Sequence, residues 1–185
     1  MIAEIHGDLR SRLIVSRWWL IWAAMGCLTL AAASASQWTT RILPGAIAPH
    51  VAIWSAEIAV TLLTIRVLHR RSGGQRTAKE RALWTIWLSF IVAASTLPLL
   101  ERALELSPFK LLPAASLLAT FCCVLTATLV HWSFFLGIAV FTASTIAMAR
   151  MPTFSFLIYG IAWFCFLELL ALVFRPRSPI ATRPL

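Results

Sequence analysis

Leu111 to Ala149 is a run of 39 residues without one formally charged side chain. As a single α-helix it would extend about 58 Å, nearly twice the hydrocarbon thickness of a bilayer. Two spans joined tightly fit it better, with the break at His131-Trp132-Ser133, the most polar point of the run. The rest of the chain repeats the pattern on a shorter scale. Apolar runs of roughly 20 residues alternate with short basic clusters, and that length of helix crosses a bilayer.

Composition agrees. Hydrophobic residues make up 60% of the 185, charged residues 12%, and mean hydropathy is +0.84, against about 45–50% apolar and about 25% charged in a soluble domain. One all-α bundle is expected, a polytopic integral membrane protein with no room for a separate soluble domain. The net charge of +9 does not point to nucleic acid. The basic residues flank the apolar runs, where they set topology and meet anionic headgroups, and no nucleic-acid-binding fold fits between them. Arginine outnumbers lysine 14 to 2 and asparagine is absent, which reads as codon bias of a GC-rich bacterial genome.

The chain divides into a leader (1–17), six spans and a basic tail (175–185). The spans are expected at 18–36, 45–65, 82–100, 111–130, 133–149 and 153–174, with Pro98 helping to close the third. The leader carries Ile2, Ile5, Leu9 and Leu13 on one helical face and reads as a short interfacial helix. Ala33-Ser34-Ala35 resembles a signal-peptidase site, but an uncleaved first helix suits the long leader better. With six spans both termini share a side. That side holds 12 Lys and Arg against 4 on the other, so both termini are placed in the cytoplasm, at a bacterial inner membrane.

Small residues recur at steps of four along three spans: Ala23, Cys27, Ala31, Ala35; Ala115, Ala119, Cys123, Ala127; and Ala139, Ala143, Ala147. Such ridges let membrane helices approach closely. Tryptophans at the basic ends, Trp18, Trp19, Trp22, Trp84 and Trp87, are expected as interfacial anchors.

The second span carries the most informative chemistry. His50, Trp54, Glu57, Thr61 and Thr64 fall at steps of 4, 3, 4 and 3, one stripe on one helical face. A polar stripe on a membrane helix must face protein or water, and its acid must be protonated, paired or hydrated. Glu168 in the sixth span is the only other carboxylate within a span, at a similar depth. A shared site would let the two exchange a proton or hold a cation. The alternative is that each is hydrogen-bonded to a hydroxyl, Thr61 for Glu57. The candidate polar site is therefore His50, Trp54, Glu57, Thr61, Thr64 and Glu168.

Other chemistry finds little footing. Zinc-protease, serine-hydrolase and phosphate-loop patterns are missing, so no catalytic residue is assigned. His50 and His131 fall at opposite membrane faces and cannot share a haem. Cys27, Cys122, Cys123 and Cys165 lie inside spans without metal spacing and read as small hydrophobes. No metal or cofactor is expected. Two function classes remain open. One is a small transporter or membrane solute-binding component, with a small solute or cation at Glu57. In size and helix number such a chain resembles the substrate-binding subunits of energy-coupling-factor transporters, an analogy of architecture. The other is an accessory or assembly subunit whose polar residues fix packing against partner subunits.

Overall fold

The computed structural model describes residues 18–71, 78–106 and 109–175. The leader, residues 72–77 and 107–108, and the basic tail beyond Arg175 lie outside them. Six α-helices follow in order: α1 (Trp18–Ile42), α2 (Ala48–Arg71), α3 (Ala78–Ala103), α4 (Leu112–Leu129), α5 (Phe135–Arg150) and α6 (Ser155–Phe174). Single 3₁₀ turns, Trp132–Phe134 and Pro152–Phe154, join α4 to α5 and α5 to α6. The 39-residue uncharged run is thus two helices, broken at the expected tripeptide. There the His131 ring nitrogen accepts the Ser133 amide at 3.2 Å and meets its hydroxyl at 2.8 Å. This closes the turn within a buried setting.

Five of these segments are long and apolar enough to cross a membrane, by length and composition: Trp19–Ile42, Arg81–Ala103, Leu112–Leu129, Trp132–Arg150 and Pro152–Phe174. The second expected span differs. The apolar part of α2 is only Ala48–Thr64, because the helix continues into Arg66, Arg70 and Arg71. Pro98 also departs from expectation. It lies inside α3, which continues to Ala103, so the proline removes one intrahelical donor without ending the helix.

The outer surface is apolar. Leu63, Val92, Leu99, Leu117, Phe121 and Leu172 are each more than half exposed, the reverse of a water-facing surface and compatible with an integral membrane protein. In hydrocarbon a helix must satisfy its own polar groups. Several helical hydroxyls do so by back-bonding: Ser34 to the Leu30 carbonyl, Thr64 to Val60, Thr85 to Arg81, Thr128 to Val124, all at 2.8–3.1 Å.

Packing neighbours run α2, α1, α6, α5, α4, α3. Among the described residues no packed interface joins α2 to α3, so the series is open between them. The centre is α6, which touches α1, α4 and α5 and buries Phe156, Phe166, Leu170 and Phe174. It runs antiparallel to α1 along nearly its whole length. Trp22 meets Phe174 edge-on at 4.8 Å, Gly26 faces Phe164 and Leu167, Ala33 lies on Gly160, and the Gln37 amide donates to the Thr153 carbonyl at 2.8 Å.

This pairing corrects two of the three small-residue ridges. Cys27, Ala31 and Ala35 of α1 are exposed; the helix approaches α6 through Gly26 and Ala33 instead. Ala139 and Ala143 of α5 are likewise exposed, while Gly137, Phe141, Ser144 and Met148 are buried. A side chain at Gly137 would collide with Cys123 and the Phe166 ring. The α4 ridge does pack inward, with Ala115, Ala119, Cys123 and Ala127 all buried.

Candidate functional site

The gap between α2 and α3 is the mouth of a cavity of about 420 Å³. Val51, Ser55 and Leu62 of α2 form one rim and Leu88, Ser95 and Pro98 of α3 the other. All six are exposed on the bundle's flank. The back wall is α6, from Phe156 to Leu170, about 21 Å of helix axis. Eleven aromatic side chains line it, so the walls are apolar, with a few polar groups at fixed heights. That is the composition of a small-molecule pocket, and the volume lies within the usual range of about 300–1,000 Å³.

Those polar groups come chiefly from the stripe on α2. His50, Trp54, Glu57 and Thr61 all line the cavity. Thr64 does not; its hydroxyl bonds back to Val60. Glu57 takes its one described hydrogen bond from α1, where Thr29 Oγ1 donates to Oε1 at 2.8 Å. The partner is therefore Thr29, not Thr61. Its other oxygen has no hydrogen bond among the described residues.

Glu168 is absent from the lining. It approaches α1, its Oε1 about 3.5 Å from where a Cβ on Gly26 would lie. Gly26 precedes Thr29, the hydrogen-bond partner of Glu57, by three residues on α1, so both acids approach α1 within one helical turn of each other.

Thr61, like Ser36 of α1, does not follow that back-bonding pattern. It is about nine-tenths buried, lines the cavity, and its Oγ1 has no hydrogen-bond partner. A buried hydroxyl left unpaired costs about 1–3 kcal/mol, yet the usual i−4 carbonyl bond is not made. His50 is similar. Its ring is 2% exposed, stacked on Phe156 at 5.0 Å and tilted against Phe109 at 4.4 Å. Nε2 has only a long 3.5 Å contact with Thr40, and Nδ1 has none.

Two features of the site were not legible as such in the sequence. Glu101, placed by its neighbours in a charged loop, is in the last turn of α3 and only 5% exposed. Its carboxylate accepts the Phe109 amide at 2.9 Å and the Leu111 amide at 2.6 Å. Leu111 is the N-cap of α4 and has no capping side chain of its own. Glu101 therefore supplies acceptors at a helix start, where a negative charge is stabilising. It also holds Phe109 at φ 67°, a left-handed conformation rare for a bulky residue. The second feature is the tryptophans. Trp22 is buried, and with Trp84 and Trp87 it lines the cavity. Trp87 joins Phe90, Trp163 and Phe166 in a ring cluster with centroids 5.6–6.4 Å apart. Trp19 meets a cation, the Arg175 guanidinium 5.5 Å above its ring.

Among the described residues no group of three or more His, Cys, Asp or Glu converges as a metal site. No protein-family model, curated protein or solved structure matches the chain.

Proposed function

We propose that this chain is a small transporter or membrane solute-binding component, with the Glu57 cavity as its binding site. In this reading six helices span a bacterial inner membrane and both termini are cytoplasmic. α2 is 24 residues, about 36 Å, long enough to serve as the sixth span with its basic end at the headgroups. The observation that carries the reading is an aromatic-walled cavity holding Glu57, Thr61 and His50 with hydrogen-bonding capacity to spare. A subunit that only packs gains nothing from such spare capacity.

The test is native mass spectrometry of the protein released from nanodiscs, wild type beside Ala94→Trp. Ala94 lines the cavity wall on α3, and an indole there fills the space. A small-molecule adduct present in wild type and lost in the variant is the expected result. No adduct in either, with a stoichiometric protein partner in both, would sink the cavity reading.

That second outcome belongs to the alternative reading, an accessory or assembly subunit. It is favoured by one specific observation, the Thr29–Glu57 hydrogen bond. Polar side chains that bridge helices stabilise membrane packing by about 0.6–2 kcal/mol, and this bond joins α1 to α2.

A further inference from the structure

We propose that the cavity takes a long-chain organic cation from the bilayer, its ammonium head at Glu57 and its alkyl chain along the aromatic wall of α6. The proposal rests on the solute-binding reading above and deepens it.

Charge comes first. The chain has 16 Lys and Arg against 7 acids, yet the lining includes Glu57 and Glu101 and no Lys or Arg. His50 is the one basic side chain in that lining, so a buried anionic headgroup would meet no permanent cation, and an unpaired buried charge is strongly disfavoured. Glu101 is already committed to two backbone amides. Glu57 has one donor, Thr29, and keeps its second oxygen for a partner. Trp54 is one turn away on the same face and also lines the space. A carboxylate beside an indole ring suits an ammonium group, which gains both ion pairing and cation–π attraction.

Shape comes second. The lining residues of α6 run from Phe156 to Leu170, about 21 Å of helix axis, an elongated wall that an extended hydrocarbon chain can follow. A compact solute would leave most of that length empty. Access comes third. The mouth opens sideways between α2 and α3, rimmed by Val51, Leu62 and Leu88, on the same apolar flank as Leu63 and Val92. An amphiphile already in the membrane enters there without passing through water. Thr61, one turn beyond Glu57, has an unpartnered and nine-tenths buried oxygen that can accept an N–H from the same head.

The experiment uses bromine quenching of the cavity tryptophans in phosphatidylcholine nanodiscs. Three probes share one chain: 12-bromododecyltrimethylammonium, 12-bromododecanol and 12-bromododecanoate. Partition into lipid quenches in proportion to probe, whereas a site saturates. Saturable quenching by the ammonium, absent for the carboxylate and about tenfold weaker in Glu57→Gln, is expected. The glutamine side chain retains an acceptor for Thr29, so the α1–α2 bridge survives that change. Thr61→Val gives an internal control. It should weaken 12-bromododecylammonium about threefold through its N–H groups and leave the quaternary head unaffected. Equal saturation by all three probes, or no loss in Glu57→Gln, would overturn the cation while leaving the cavity reading intact. No saturation by any chain would overturn the long-chain assignment, and the Ala94→Trp comparison then judges the cavity independently.

Discussion

Glu57 and Glu101 are both carboxylates on the cavity wall, and their neighbours give them opposite roles. Glu101 is saturated by the Phe109 and Leu111 amides and anchors the start of α4. Glu57 is tethered by one hydroxyl and has an oxygen to spare. Removing Glu101 should therefore cost stability first. Hydrogen bonds to a charged group contribute about 1.5–3 kcal/mol each, so Glu101→Ala should lose about 3 kcal/mol or more. The check is a clear drop in Tm in detergent, only partly recovered in Glu101→Gln, whose one acceptor oxygen serves a single amide while its NH2 group faces the other. The stripe containing Glu57 was readable because its residues share one helix, whose period is known. Glu101 was not, since its two donors lie 8 and 10 residues downstream and only the α3–α4 turn returns them to it. The same limit hid Thr29. Sequence offered Thr61 as the nearest hydroxyl on the same face, but the neighbouring helix presents a closer one.

At the scale of elements, helix positions and the break within 111–149 followed from length and charge alone. Which face of each helix points inward did not. An alanine-rich helix offers several small-residue ridges, and the partner selects among them. On α1 the choice falls on Gly26 and Ala33, because Gly160 of α6 lets the backbones approach there. Gly160→Leu should accordingly drive α1 off α6. Overpacking of this kind costs about 1–3 kcal/mol, and this contact lies at the middle of the bundle's longest pairing. Loss of a monodisperse peak in size-exclusion chromatography, or a lowered Tm, is the expected readout. The same substitution at Ala143, exposed on α5, should be silent in both.

For the whole molecule, the open side between α2 and α3 has a dynamic consequence. Among the described helices α2 packs against α1 and has no packed interface with α3, while α6 is enclosed by α1, α4 and α5. Few packed neighbours mean a low free energy of local opening. Amide hydrogen exchange in detergent should therefore reach residues 51–64 before residues 156–171. Occupancy of the cavity by the ammonium probe should slow the former selectively. Equal protection of both segments in the empty protein would contradict an α2 that moves against a fixed core.

Taken alone, the sequence determined the all-helical class, the sites of the helices, the apolar exterior and the polar face of α2. All of these depend on local composition and a helical period, which a chain carries at every residue. The tertiary structure decided the pairing of α1 with α6, the absence of Glu168 from the cavity lining, the inward turn of Trp22, Trp84 and Trp87, and the cavity itself. Those depend on which surfaces meet. In a helix apolar on every side, hydrophobicity does not rank one face above another. Close packing and a handful of polar contacts do.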